Sequence, residues 1–238
     1  MDLTSAAFWA ALGSIIWVNI LLSGDNAVVI ALAARSLPPQ HQKKAIFWGS
    51  AAAIVMRIGL TVIALEMLKW PYLKIVGGLL LLYIGTTLLV EEDDGGDQGA
   101  DGGNASVMVA IRTILIADLV MSLDNVIAVA AAAKGDFMLL IIGLAMSIPL
   151  VIFGSTLLIK VIERFPFIVW LGAALLGFIA GEIVVEDPAL KDMFHSLGLQ
   201  FGITDPHRLG TVMGVVGAVV VVIIGKVMLS RRSSAHPA

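Results

Sequence analysis

The chain has 238 residues, 59% of them hydrophobic and 14% charged, with a mean hydropathy of +0.98 and a formal charge of −3. This composition excludes an ordinary soluble domain, and the acidic balance excludes a nucleic-acid binder of the usual basic kind. The absence of cysteine removes disulfide frameworks, thiolate metal sites and cysteine nucleophiles.

A membrane helix needs about 20 mostly apolar residues, and seven segments meet that standard. The first, 7–33, follows no basic n-region, because the first 34 residues contain no Lys or Arg; it is expected to remain as a membrane helix rather than be cleaved as a signal peptide. It carries the polar run Asn19, Ser23, Asp25 and Asn26 in WVNILLSGDNAVVIA. The second, 45–68, contains Arg57, the one basic residue deep in a span, and Glu66 toward its far end. The third, 72–90, is followed by EEDDGGDQGADGGNAS, whose six carboxylates and many glycines predict a flexible linker over 91–106.

The fourth segment, 107–133, repeats the polar run as Asp118, Ser122, Asp124 and Asn125 in IADLVMSLDNVIAVA. The fifth and sixth span 137–160 and 166–185, with Glu182 near the end of the sixth. An outer loop follows over 188–208, with a short amphipathic helix around LKDMFHSLGLQF that suits packing at the membrane interface. The seventh segment, 209–229, carries Gly210, Gly214 and Gly217, a spacing that lets helices approach closely, either within the chain or across a homodimer.

The halves on either side of the linker resemble each other beyond the polar run. Lys69-Trp70-Pro71-Tyr72 lies over Arg164-Phe165-Pro166-Phe167 at a spacing of 95 residues, and VGGLLLLYIGTTLLVEED lies over LGAALLGFIAGEIVVED at the same spacing. The fold expected is therefore all-α and polytopic. It comprises a three-helix repeat (1–90), the linker (91–106), a second repeat (107–187), the outer loop (188–208), and a seventh transmembrane helix with a basic tail (209–238). Three is odd, so the second repeat enters the bilayer from the opposite side, and the two are inverted repeats. With the N-terminus outside, eight basic residues fall in inner loops and tail against five in outer loops, which favours a cytoplasmic C-terminus.

An aspartate at the centre of a membrane helix costs roughly 2.5–3.5 kcal/mol, so Asp25, Asp118 and Asp124 together cost on the order of 8–10 kcal/mol. One arginine cannot neutralise three aspartates, so a purely structural set of ion pairs does not account for them. Carboxylate, amide and hydroxyl oxygens suit Mg²⁺, Ca²⁺ or Mn²⁺, whereas zinc, copper and nickel favour imidazole or thiolate. The four histidines all fall in loops or the tail. The candidate metal set is Asp25, Asn26, Asp118, Asp124, Asn125, Ser23, Ser122 and Asn19, with the bland alternative that Asn19, Ser23 and Ser122 merely join helices by hydrogen bonds. On a continuous helix Asp118, Ser122 and Asn125 share a face while Asp124 lies roughly 120° away. Convergence of the whole set therefore predicts an interruption near each Ser-x-Asp-Asn, with Gly24 a ready place for it in the first copy. Arg57 fits a counter-charge that holds the site together without metal.

LLSGDNAVVIALAARSLP together with ADLVMSLDNVIAVAAAAKGD resembles the TerC family of integral membrane proteins, in particular its short bacterial members without appended domains. The resemblance runs from about Trp9 to the end of the seventh segment. It implies a bacterial inner-membrane protein related to the wider lysine-exporter-like group, Mn²⁺ as the exported ion, and Asp25, Asn26, Asp118, Asp124 and Asn125 as the metal site.

The function expected is secondary export of divalent cations, foremost Mn²⁺, by alternating access. No cofactor is expected to be tightly bound, and Mn²⁺ is cargo. No G-x-x-x-x-G-K-[ST] motif is present, so proton antiport is the economical coupling. The alternatives are an exporter of a small organic cation or amino acid, and a non-transporting membrane scaffold in metal or tellurite stress. An intramembrane enzyme is the least favoured reading, because no further catalytic motif accompanies the aspartates.

Overall fold

The computed structural model describes residues 9–10, 12–14, 16–17, 24–90, 103–132, 137–200, 203 and 205–235. Within them the chain is helical, without a strand: α1 (Gly24–Ala34), α2 (Pro39–Met67), α3 (Leu73–Val90), α4 (Gly103–Ala132), α5 (Phe137–Arg164), α6 (Phe167–Val185), α7 (Lys191–Gln200) and α8 (Pro206–Ala235). Among the described residues six helices are long and apolar enough to cross a membrane, namely α2 to α6 and α8. The expected first span, 7–33, is described only in part, as the shorter apolar helix α1.

The chain sorts into two compact units, Met1–Met67 with Gly102–Val161, and Leu68–Asp101 with Ile162–Ala238. Each unit draws on both sequence halves.

In the first unit α2 packs along α4, and α1 packs against both. The α1–α2 turn is short, because Pro38 and Pro39 stop one helix and start the next; proline suits a first helical position, where its missing N–H leaves nothing unpaired. Gln42 Nε2 closes the turn by donating to the Arg35 carbonyl at 3.2 Å. Beyond Asn26, α1 is buried on almost every side through Ala27, Val29, Ile30, Ala31, Leu32, Ala33 and Ala34. The helices α2 and α4 run parallel, since Gly49 lies against Ile114 and Leu60 against Leu119. A Cβ at Gly49 would stand 2.8 Å from Ile114 Cδ1, so Gly49 marks a close approach of the two helices to which the Ile114 side chain would have to adjust.

The second unit packs α6 against α3 and α8, with α3 also touching α8. Here glycine sets the spacing. A Cβ on Gly177 or Gly217 would overlap the other residue's carbonyl oxygen, one on Gly181 would overlap the Met213 carbonyl, and one on Gly78 would overlap Val184. The pairings order Gly78 with Val184 and Gly85 with Ala173 and Leu176, so α3 and α6 are antiparallel. The glycines of the seventh segment therefore serve packing within the chain: Gly217 meets Gly177, and Gly214 lies against the Phe178 ring. The expected interfacial helix forms as α7, held to α8 through Phe194 and Leu209 beside Val185.

One residue ties the second unit together in a way the sequence pattern did not announce. Asp187, just past α6, is fully buried. Its Oδ1 accepts the N–H groups of Tyr72 (2.9 Å) and Ala189 (2.8 Å), and its Oδ2 those of Lys74 (3.0 Å) and Ile75 (3.2 Å). The first-turn amides of α3 thus find an acceptor from across the unit. Tyr72 adopts φ 69°, a left-handed conformation unusual for a bulky residue, with its N–H directed to this carboxylate. Lys74 Nζ adds a 2.8 Å bridge to Glu186. Burial pushes the Asp187 carboxyl up, but the four amide donors outweigh it and hold the group below the ordinary carboxylate range.

Two outcomes follow for stability. Asp187→Asn is expected to destabilise the protein by on the order of 2–3 kcal/mol, because a carboxamide presents one acceptor oxygen where the carboxylate presents two. Because the folded-state value lies below the unfolded one, the wild-type contribution is complete above about pH 4 and disappears as pH falls through the folded value. Thermal unfolding in detergent across a pH series checks both; equal melting of variant and wild type at pH 7 would refute the account. Gly217→Val should force α6 and α8 apart at a cost of roughly 1–3 kcal/mol, read as a lowered melting midpoint.

Candidate functional site

The polar centre lies in the first unit. One turn apart on α4, Asp118 and Ser122 face the middle of α2, where Arg57 stands between the apolar positions Ile54 and Leu60. Arg57 Nη2 donates to Asp118 Oδ1 as an ion pair, and Arg57 Nε donates to Ser122 Oγ at 2.9 Å. Ser122 Oγ in turn donates to Asp118 Oδ2 at 3.2 Å. All three are buried, with Arg57 4% and Asp118 6% exposed. The arrangement is a closed triangle in which each carboxylate oxygen has a donor and the guanidinium has two acceptors, the condition under which a buried charge pair is tolerated.

Beside the triangle is a narrow cavity of about 20 Å³, lined by Asn26, Ile30, Ser50, Ala53, Ile54, Arg57, Asp118 and Val151. That is room for about one water molecule. Asn26 reaches it from the first turn of α1 and is buried. Asp25 precedes it, half-buried, with Oδ1 accepting the Asn26 N–H at 2.8 Å; an acidic group is favoured there by the exposed amides of a helix start. Asp25 is thus joined to the cavity through its neighbour Asn26.

The eight residues expected from sequence are placed unevenly. Asn26 and Asp118 line one cavity, Ser122 bonds to both members of the ion pair, and Asp25 adjoins them. Asn125 lies further along α4, half-buried. Asp124 is within the same helix, its side chain outside the described residues, and Asn19 and Ser23 lie outside them altogether. The interruption expected at the second motif does not occur: α4 runs as one helix from Gly103 to Ala132, straight through Ser122 and Asn125. A helix rich in alanine, valine, leucine and isoleucine has no local reason to break there, and Leu123 stands where the first copy has Gly24. At the first copy, residues 18–23 are outside the description. Among the described residues no three carboxylate or imidazole side chains converge as a metal-binding group.

Ser50 is the cavity residue that reading the sequence missed. It sits seven residues before Arg57, two turns along the same face of α2, and that periodicity was the available signal.

The profile of the integral membrane protein TerC family matches residues 4–234. The chain belongs to the TerC family. Among its relatives is the uncharacterized membrane protein YjbE of Bacillus subtilis, 46% identical over 177 residues that cover 74% of this chain and 80% of YjbE. The UPF0053 inner membrane protein YoaE of Escherichia coli K12 is 32% identical over 206 residues, covering 77% of this chain and 39% of YoaE. The UPF0053 inner membrane protein YgdQ of the same strain is 24% identical over 199 residues, covering 77% and 84%. This TerC chain thus spans less than half of YoaE but most of YjbE and YgdQ. No solved structure matches it. Six long apolar helices and relatives named as inner membrane proteins together make this TerC member a multi-pass membrane protein.

The triangle generates a stability test. Arg57→Ala leaves Asp118 buried without its partner and is expected to cost about 3–5 kcal/mol, whereas Arg57→Met combined with Asp118→Leu should recover most of that loss. A double-mutant cycle on detergent unfolding midpoints measures the coupling, and additive single effects would show that the pair is not a unit.

Proposed function

We propose that this protein is a secondary exporter of divalent cations, with Mn²⁺ as its foremost substrate, rather than an enzyme. The observation that carries the reading is a buried Asp118 carboxylate at mid-helix whose counter-charge is a side chain, beside a cavity with room for about one water-sized ligand, where Asp118, Asn26 and Ser50 present oxygens among apolar side chains and Arg57. A divalent ion entering that cavity competes with Arg57 for Asp118. The guanidinium is released as the ion arrives and returns as it leaves, so Asp118 is never buried without compensation. Asn26 and Ser122 supply neutral oxygens, and Asp25 a second carboxylate. Oxygen donors without imidazole or thiolate favour a hard ion.

The same geometry bears on coupling. Asp118 is engaged by Arg57 in the metal-free arrangement, so we assign proton exchange to the carboxylates outside that pair, Asp25 and Asp124. Protonating them expels the ion and lets the empty carrier reset with little net charge in the apolar interior. Alternating access by inverted repeats fits the antiparallel pairing of α3 with α6, the third helices of the two sequence halves, inside one unit. The basic residues favour an outer N-terminus and a cytoplasmic C-terminus in the bacterial inner membrane. A cavity of about 20 Å³ is far below the several hundred Å³ that enclose an organic ligand, which disfavours an amino-acid exporter.

The test is Mn²⁺ flux into proteoliposomes under an imposed pH gradient, for wild type, Asp25→Asn and Asp118→Asn. Wild-type flux that responds to the gradient and falls at least tenfold in both variants, with folded protein throughout, is the expected result. Folded wild-type protein that moves no divalent ion would return the aspartates to a scaffold role, and flux indifferent to the gradient would remove proton antiport.

A further inference from the structure

Helical hydroxyls in this chain follow a common habit. Thr61, Thr86, Thr113, Thr156 and Thr211 each donate to the carbonyl one turn back, at 2.7 to 3.1 Å. That is the default for a hydroxyl in an apolar helix, where no water is available. Ser122 departs from it for a reason already described, since it donates to the Asp118 carboxylate. Ser50 departs from it too: it is 2% exposed, and its Oγ has no hydrogen-bond partner among the described residues. A buried hydroxyl that forgoes an available carbonyl costs stability, and where it also lines a cavity a ligand can supply the missing partner.

Position supplies one. Ser50 lines the same cavity as Asp118, Asn26 and Arg57. Its neighbour Gly49 touches Ile114, one helical turn before Asp118, so Ser50 stands about one turn from the carboxylate along parallel helices. The lining residues Ile30, Ala53, Ile54 and Val151 offer no side-chain donor or acceptor, so Ser50 joins Asn26, Arg57 and Asp118 as the polar side chains of the cavity.

We propose that Ser50 is a further oxygen ligand of the transported cation, engaging it on its path to or from Asp118 and favouring hard over soft divalent ions; this rests on the cation-export reading above. As the ion sheds water in the narrow cavity, the Ser50 hydroxyl replaces one water of its shell, and Asp118 replaces another once Arg57 withdraws. An oxygen at that point suits Mn²⁺, Mg²⁺ or Ca²⁺ and gives a thiophilic ion no advantage.

Ser155 is the internal control. It is equally buried on α5 and its Oγ likewise lacks a hydrogen-bond partner among the described residues, but it does not line the cavity. The experiment measures Mn²⁺ and Cd²⁺ flux in proteoliposomes for wild type, Ser50→Cys, Ser50→Ala, Ser155→Cys and Asp118→Asn. Replacing the oxygen by sulfur in Ser50→Cys is expected to raise the Cd²⁺ over Mn²⁺ preference at least tenfold. Ser50→Ala should raise the KM for Mn²⁺ three- to tenfold with kcat changed less, and Ser155→Cys should leave the preference within twofold of wild type. If Ser50→Cys were poorly folded, the KM effect of Ser50→Ala carries the decision. Wild-type Mn²⁺ flux abolished by Asp118→Asn, with selectivity and KM unmoved by either Ser50 change, would overturn the proposal and leave the export reading standing. Absence of divalent flux from the wild type would overturn both.

Discussion

A carboxylate in the middle of a membrane helix needs a compensating charge, and in this protein Arg57 supplies it to Asp118. The architecture of the first unit serves that pair. Gly49 of α2 lies against Ile114 of α4, and further along the parallel helices Arg57 stands level with Asp118 and Ser122. Ser122 occupies the carboxylate oxygen that Arg57 Nη2 leaves free, so the charge is shared over three groups instead of two. Long apolar stretches on both helices exclude the water that would otherwise screen the pair, which makes the interaction strong and also makes an unpartnered state expensive. A buried carboxylate of this kind cannot do without a compensating charge.

The second unit is organised by a different physics. Helices in lipid gain nothing from hiding apolar side chains from one another, so close approach and van der Waals contact must hold them. Gly78, Gly177, Gly181 and Gly217 provide that approach by letting backbone meet backbone or side chain. The unit's polar cluster sits where Asp187 gathers three amides at the turn into α3 and the Ala189 amide past α6, and Lys74 bridges to Glu186. The buried ion pair belongs to the first unit and close-packed backbone contact to the second.

Comparison with the sequence pattern shows where local information suffices. The long apolar helices could be read directly, because a run of about 20 apolar residues has no other stable fate in a bilayer. Their boundaries at α3 and α6 fall at 73–90 and 167–185, against segments expected over 72–90 and 166–185. The interruption expected in α4 failed, because it was inferred from the wish to bring Asp124 onto the face of Asp118, and helix propensity through VMSLDNVIAVAAA opposes any break. Ser50 escaped notice because a single serine among alanines carries no signal until Arg57, two turns away on the same face, is known to line a cavity.

What the sequence by itself determined is the membrane class, six of the seven expected spans, the family and the duplicated Ser-x-Asp-Asn runs, because hydropathy and motif spacing are properties of neighbours along the chain. Only the tertiary structure decided which acid Arg57 pairs with, that Asp187 caps a helix more than a hundred residues earlier, and that Asn26, Ser50 and Asp118 share one cavity. Those facts depend on the register between helices, which close glycine contacts and buried charge pairing set across long separations, and a one-dimensional pattern does not encode them locally.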